Sequence, residues 1–400
     1  MTGSQRPSAL IALIAGGGIG GLATALALAQ RGIDVRVCER RAEFPEEGAG
    51  IQIGPNGTRI LQQLGVAEFL EDKVASPDTL VVHDGASGRE LTRLPLGSWL
   101  AKRHGAPYWT AHRRDLHSAL RTRAESEPRI TLSRATEITS CRDEPNGIAA
   151  VDASGEVLSA SLLVAADGLW STLRRGIAGE SAVPTPVGKT AFRSVTTAEN
   201  MPPELARNAV HIWLSPGAHA VHYPVTGGRD VAIVVIADDP ALSEDWDAPA
   251  ATDAVKDKMK SFAPSLRSLA YSTQTWRQWS LYRLPPLTHW TSGRAALLGD
   301  AAHPMLPFLA QGAVMALEDA VALASSIAAS NGELEHALQN YEQARRPRVS
   351  KVVEASIRNG RIYHMHGPTA LARNAVMKLR PPERVMAGFD WLYGWTSKSC

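Results

Sequence analysis

Only three of the 400 residues are cysteine (Cys38, Cys141 and Cys400), and they stand far apart. That excludes a disulfide framework and any C-x-x-C motif, and it fits a reducing, cytoplasmic setting. One-signed charge is missing too. The 42 Lys and Arg against 40 Asp and Glu leave a net charge of +2, which gives no electrostatic case for nucleic acid or a membrane surface as partner. No long hydrophobic run is present: the first apolar stretch, residues 10–15, dissolves into glycines and is too short to span a bilayer. The opening MTGSQRPS lacks the charged-then-apolar layout of a secretion signal, and residues 1–9 read as a disordered leader. No metal site is expected, since no His/Cys cluster has ligand spacing.

What the sequence does have is glycine in a specific place. Residues 13–40, LIAGGGIGGLATALALAQRGIDVRVCER, run from an apolar strand through a glycine cluster into a helical pattern. A second apolar run follows and closes on Glu39. Gly16, Gly18 and Gly21 fit G-x-G-x-x-G, with Glu39 about 20 residues on, the fingerprint of a dinucleotide site. Gly16 makes the tight turn, Gly18 lets a pyrophosphate approach the backbone, and Gly21 lets helix and strand pack closely. Gly20 and Arg40 flank the same site. The helix N-terminus offers free N–H groups to the phosphates. A nicotinamide dehydrogenase would show the same motif.

Two later stretches narrow the choice. In VAADGLWSTLR (164–174) a buried strand ends on Asp167-Gly168, with Arg174 just beyond. Here Asp167 could simply cap a helix, or Gly168 could admit a cofactor while Arg174 supplies charge near a pyrophosphate. In AALLGDAAHPMLPFLAQGAVMALEDA (295–320) a strand delivers Gly299-Asp300 at its C-terminal end, where α/β crevices form. Asp300 can accept a hydrogen bond from a sugar alcohol, Pro304 and Pro307 stiffen the loop, and Gln311-Gly312 open a helix. The positive end of that helix would stabilise an anionic reduced flavin ring.

Between these motifs the texture changes. Residues 180–290 are mostly strand-like, with one helical pattern over 251–262 and strand character over 272–284, and read as an inserted antiparallel sheet. Beyond Gly332 the pattern is helical to the end, broken by Pro347 and by the Gly367-Pro368 and Pro381-Pro382 pairs. The predicted fold is α/β: a Rossmann-like dinucleotide-binding domain over 10–75, 100–180 and 290–350, an inserted mainly antiparallel β-sheet domain over 76–99 and 181–289, and a C-terminal helical segment over 351–400.

The series GGGIGG…ER, HRRDLH, ADGLWSTLR and GDAAHP…AQGA…EDA resembles the single-component FAD-dependent aromatic hydroxylases over about residues 10–395. HAVHYP (219–224) and FDWLYGW (389–395) narrow the likeness to the group of salicylate hydroxylase, 3-hydroxybenzoate 6-hydroxylase and 6-hydroxynicotinate 3-monooxygenase. By that likeness the Rossmann-like domain is expected to be an FAD-binding domain (GR2-type) and the inserted β-sheet domain a substrate domain. The resemblance implies that Gly16, Gly18, Gly21 and Glu39 hold the ADP part of FAD, and that Arg113 reaches its phosphate or ribityl region. It implies that Asp167, Gly168 and Arg174 serve FAD and pyridine nucleotide, that Gly299 and Asp300 hold the ribityl chain, and that Gln311, Gly312 and Ala313 lie along the isoalloxazine. It further implies NADH or NADPH as a transient reductant, dioxygen as co-substrate, and a flavin C4a-hydroperoxide that hydroxylates a small phenolic or N-heteroaromatic acid.

Such chemistry needs a group that ionises the phenol or stabilises its phenolate. On an extended 218–225 segment, His219, Val221 and Tyr223 share one face and Ala220 and His222 the other. His219 and Tyr223 match substrate-pocket positions of the resembling enzymes, which makes them the catalytic candidates, with His219 as base or phenolate partner. Arg193 could meet a substrate carboxylate or sit on the surface. Gln52 stands where hydroxynicotinate enzymes carry histidine. His303 reads as a loop residue near the flavin, and His211 and Trp213 as core or interface. Three alternatives stay open: a dehydrogenase, a non-catalytic flavin-binding protein, and a halogenase, although the W-x-W-x-I-P element of the last is absent. The chain could be a monomer or homodimer, with the aromatic run 391–395 closing the flavin domain or a dimer contact.

Overall fold

The computed structural model describes residues 10–43, 48–179, 182–202, 205, 207–239, 248–273, 275–330 and 332–397. The 1–9 leader and Cys400 lie outside the described residues. Two large sheets organise them. The first has six strands in the order 291–292, 295–297, 162–165, 11–15, 34–38 and 130–133, parallel except for the outermost 291–292 strand. Its central strands 11–15, 162–165 and 295–297 are continuous apolar runs, as expected of a sheet covered by helices. The helix Ile19–Ala29 and the helix Gly312–Ala329 pack together in its core, with Leu22, Leu26, Leu317 and Val321 buried. Length and apolarity alone would let Gly312–Ala329 cross a membrane, but Glu318 and Asp319 in its middle are fully buried and ion-paired within the protein.

The second sheet has eight strands in the order 248–250, 276–283, 185–197, 230–238, 218–225, 209–215, 79–84 and 90–95. Only the 209–215/79–84 pair is parallel. A small three-stranded sheet (50–53, 109–112, 74–75) joins the two large ones. The join is close: a Cβ on Gly50 would stand 2.3 Å from Ala232 and 2.7 Å from the Tyr223 ring, so only glycine fits there.

Three local expectations change. The helical pattern at 251–262 is two helices, Thr252–Met259 and Pro264–Ser272. Pro264 opens the second, since an N1 proline loses no intrahelical bond, and the strand begins only at Trp276. Pro347 does not break the C-terminal helix, which runs unbroken from Leu334 to Tyr363. Burial of Tyr341, Arg345, Val349 and Val352 along one side offsets the missing backbone bond. The aromatic 391–395 run folds back: Trp395 lies under Arg345 and Arg348 (5.2 and 5.6 Å), and its carbonyl accepts from Arg59 at 2.5 Å.

Candidate active site

The C-terminal ends of the parallel strands 11–15, 162–165 and 295–297 deliver three glycine turns to one crevice. Gly16 (φ 110°), Gly168 (φ 82°) and Gly299 (φ 61°) all have left-handed backbones that side chains resist. A Cβ on Gly16 would meet the Ala166 carbonyl at 2.4 Å, and one on Gly21 would meet the Gly16 carbonyl at 1.9 Å. Gly18 is different: nothing lies within 4 Å of its missing Cβ, so its backbone faces open space at the start of the helix. Gly20 reaches the cavity but also packs on Leu298 and Ala316.

Two cavities share Gly18, Ala166 and Gly168 and so form one elongated trough. The smaller, about 180 Å³, is lined by Gly16, Glu39, Arg40, Asp167 and Thr172 among others. Glu39 is anchored by accepting the Gly17 N–H at 2.9 Å, and His117 fixes the same turn by bonding the Gly17 carbonyl at 2.8 Å. One Asp167 oxygen accepts from Thr172 N–H at 2.9 Å, while the other is buried without a partner. Burial pushes the Asp167 carboxyl up.

The larger cavity, about 340 Å³, has two walls. On one are Arg113, Gly299, Asp300, Pro307, Gly312 and Ala313; on the other are Gln52, Arg193, His219, Val221 and Tyr223. Asp300 is open to the cavity yet deep in the protein, so burial pushes its carboxyl up against the pull of His303, Arg113 and Arg174. Among the described residues no hydrogen bond reaches that carboxylate. This trough fits FAD: open backbone at Gly18, a carboxylate at the ribose end (Glu39), another midway (Asp300), and the N-terminus of Gly312–Ala329 at the far end. The site residues from four separate stretches of sequence therefore converge.

Two of them do something else. Arg174 is 3% exposed and lines neither cavity. Its guanidinium donates to the carbonyls of Ala301 and Leu169, both at 2.7 Å, and to those of Gly168 and Asp300. It clamps the 168–169 and 300–301 loops together, and its donors are taken up there. Gln311 turns inward: its side-chain oxygen accepts from Asn56 at 3.0 Å, and only its neighbours Ala310 and Gly312 line the cavity.

Behind the Gly299 loop lies a buried charge network that sequence reading missed. Asp319 accepts from Gly299 N–H (3.1 Å), His303 (2.6 Å) and Arg345 (2.7 Å). Burial alone would push this carboxyl up, but His303 and Arg345 outweigh it and hold it at about 2. Glu318 accepts from Arg345, Arg348 and Asn56. The only signal was the Glu-Asp pair inside an otherwise apolar helix.

On the wall opposite Asp300 the face alternation is as expected, with His219, Val221 and Tyr223 all lining the cavity. Tyr223 is 3% exposed, and burial raises its phenol pKa despite Arg193 and a hydrogen bond with Gln52. Gln52 in turn accepts from Tyr108 at 2.7 Å. Arg193 is not a surface group: it lines the cavity with its guanidinium 4.4 Å over the Trp279 ring. His219 is 2% exposed and held neutral by burial, His364 and Lys189. His222, on the opposite face, stacks on His211 (4.4 Å), which bonds His83 at 2.9 Å, and Trp213 stacks on His83. His211 and Trp213 are therefore core.

A family profile described as "FAD binding domain" matches residues 10–356. The 3-hydroxybenzoate 6-hydroxylase of Polaromonas naphthalenivorans (strain CJ2) is 36% identical over 401 aligned positions, 99% of each chain. A 3-amino-4-hydroxybenzoate 2-monooxygenase of Streptomyces platensis, PtnB3, is 33% identical over 394 positions, 98% of this chain and 97% of that one. Among solved structures, Klebsiella pneumoniae HpxO complexed with FAD and uric acid matches with a TM-score of 0.85 at 25% identity, over 96% of this chain and 97% of that one.

Proposed function

The chain belongs to the FAD-binding-domain family, and from that membership we propose that it is an NAD(P)H- and FAD-dependent monooxygenase that hydroxylates a hydroxybenzoate, with 3-hydroxybenzoate as the first substrate to test. FAD, when bound, supplies the redox centre that takes a hydride from NADH or NADPH and activates dioxygen. One oxygen atom enters the ring, and the other leaves as water.

The observation that carries the reading is the character of the wall opposite the Asp300 loop. Its polar groups are a guanidinium (Arg193), a neutral imidazole (His219), a protonated phenol (Tyr223) and the Gln52 amide, set among Val221, Val234 and Ile236. Arg193 has donors only and suits a planar carboxylate. A tyrosine kept protonated and an imidazole N–H suit a second oxygen carrying charge. The apolar strand residues leave room for a flat ring and keep water from the reacting carbon. An anionic aromatic with two oxygen functions matches such a wall better than a neutral or cationic one does.

Under this reading segments 10–75, 100–180 and 290–350 hold the cofactor, and 76–99 with 181–289, joined by Gln52 of the first segment, hold the ring. Gly18, Glu39, Arg40 and Asp167 lie at the adenosine and pyrophosphate end. Arg113, Asp300, Pro307, Gly312 and Ala313 lie at the flavin end, and Gln52, Arg193, His219 and Tyr223 lie around the substrate. The enzyme is placed in the cytoplasm, consistent with its scattered cysteines. The test is a panel of monohydroxybenzoates added to holoenzyme with NADH or NADPH. A carboxylated phenol should stimulate nicotinamide oxidation with matching dihydroxybenzoate formation. Stimulation only by non-carboxylated aromatics, or by none, would reject it.

A further inference from the structure

His219 does not end at the cavity wall. Its Nδ1 is 2.8 Å from Nε2 of His364, the residue that ends the long helix Leu334–Tyr363. His364 Nδ1 is 2.9 Å from Lys189 Nζ, and Lys189 is ion-paired with Asp238 at the register position opposite it on the neighbouring strand. A file of four side chains thus runs from the substrate cavity to solvent, where the Asp238 side chain is 61% exposed.

The file has a direction. An ammonium carries three donors and no acceptor, and a neutral imidazole has one of each. Lys189 must therefore donate to His364 Nδ1. His364 then carries its proton on Nε2 and donates it to His219 Nδ1. His219 is left with its proton on Nε2, the ring nitrogen facing the cavity. The reverse order would set two N–H groups against each other at Lys189.

We propose that the Lys189–Asp238 pair and His364 fix the tautomer of His219, so that His219 meets the substrate's phenolic oxygen as a hydrogen-bond donor to the phenolate and not as the base that removes its proton. This rests on the reading of the site as a hydroxybenzoate pocket. His219 contributes by touching the substrate, whereas His364 and Lys189 are positioning residues. The proton balance is simple: the phenol O–H breaks on binding, its proton goes to solvent, and the electron pair stays on oxygen opposite His219 Nε2–H.

The surroundings agree. Burial, with Lys189 and Arg373 adding to it and Asp238 opposing, pushes His364 down to about 4, so it is neutral at working pH. Arg373 is occupied with the carbonyls of Ile362 and Tyr363, both at 3.0 Å. The other groups against His219 are the rings of Phe308 (5.5 Å) and Tyr363 (5.2 Å), and burial pushes the Tyr363 phenol up to about 12. No second cation or carboxylate among the described residues touches His219 itself.

The test uses holoenzyme and 3-hydroxybenzoate, with protons released on binding measured by titration calorimetry in two buffers of different ionisation enthalpy. Wild type should release close to one proton per ligand near neutral pH. His219→Gln, which keeps a donor but cannot act as a base, should retain the release, as should Lys189→Arg. His219→Leu and Lys189→Met should lose most of it, with the bound phenol pKa raised by about two units or more, a hundredfold shift. Loss of release in His219→Gln as complete as in His219→Leu would overturn the proposal. Histidine-selective ¹⁵N spectra of ligand-free holoenzyme give an independent reading: Nε2–H on His219 and His364 is expected, and Nδ1–H on either overturns it. If no hydroxybenzoate binds any form, the functional reading falls, whereas binding with the wrong proton count removes this proposal alone.

Discussion

The neutrality of the buried histidines has a measurable cost in acid. His211, His219 and His222 are 2%, 2% and 1% exposed. Burial is the main reason that all three are held below the ordinary histidine range, His211 at about 3 and the other two well below 6.5. The sign follows from which state takes the proton first. In the unfolded chain each titrates near 6.5, while in the folded chain each stays neutral, so between pH 7.5 and 5 the unfolded state binds more protons. Stability therefore is complete above about pH 7.5 and falls as the pH drops through 6.5. At pH 6 each unfolded histidine carries roughly 0.75 proton, so unfolding should take up roughly two protons from these three residues and cost the fold about 2 kcal/mol relative to pH 7. The assay is proton uptake on urea unfolding in weakly buffered solution at pH 6, read with an indicator dye. Replacing His222 with asparagine should remove roughly 0.75 proton from the uptake. Net uptake near zero, or an uptake unchanged in His222→Asn, would refute the account of these rings as neutral.

Other consequences follow from the charge network and the cavity. Arg345→Met leaves Asp319 buried with only His303 and Gly299 N–H as partners and should destabilise the protein by about 3–5 kcal/mol, seen as a lower urea midpoint; a change under 1 kcal/mol would contradict the burial of that pair. Asp300→Ala removes a cavity-facing acceptor and should weaken FAD binding by roughly 10- to 100-fold, the equivalent of one charge-assisted hydrogen bond. It should purify depleted of flavin, and full occupancy would count against the assignment. Arg193→Met should raise the Kd for 3-hydroxybenzoate by 30-fold or more, about 2 kcal/mol or above, with FAD content unchanged, and equal affinity would move the carboxylate elsewhere.

The cofactor half of this site was legible because a dinucleotide imposes backbone demands that few residues meet. Glycines with left-handed or crowded backbones at 16, 21, 168 and 299 follow strands, and each strand–turn–helix is local in sequence. The face shared by His219, Val221 and Tyr223 was legible for a similar reason, since strand alternation has period two. What escaped was partnership across the chain. His364 lies 145 positions from His219, and no spacing rule connects a helix end to a strand in another layer. Gln52, Tyr108 and Tyr223 come together only through the small bridging sheet. Arg174 and Gln311 were read by the loops they sit in, but the fold turns both side chains inward, where unpaired carbonyls and Asn56 claim them. The Asp319–Arg345 pair was likewise invisible, because sequence shows a charge but not whether it is solvated.

If Arg193, His219 and Tyr223 present a hydroxybenzoate to a flavin held in the Gly18–Asp300 trough, the ring must acquire oxygen from dioxygen at the expense of the nicotinamide. The measurement that tests this most directly is turnover of 3-hydroxybenzoate by the holoenzyme with NADH under ¹⁸O₂, with product mass and nicotinamide consumption followed together. One ¹⁸O atom in a dihydroxybenzoate and close to one NADH consumed per product are expected. NADH consumption that yields only hydrogen peroxide, or a product carrying oxygen from water, would contradict it.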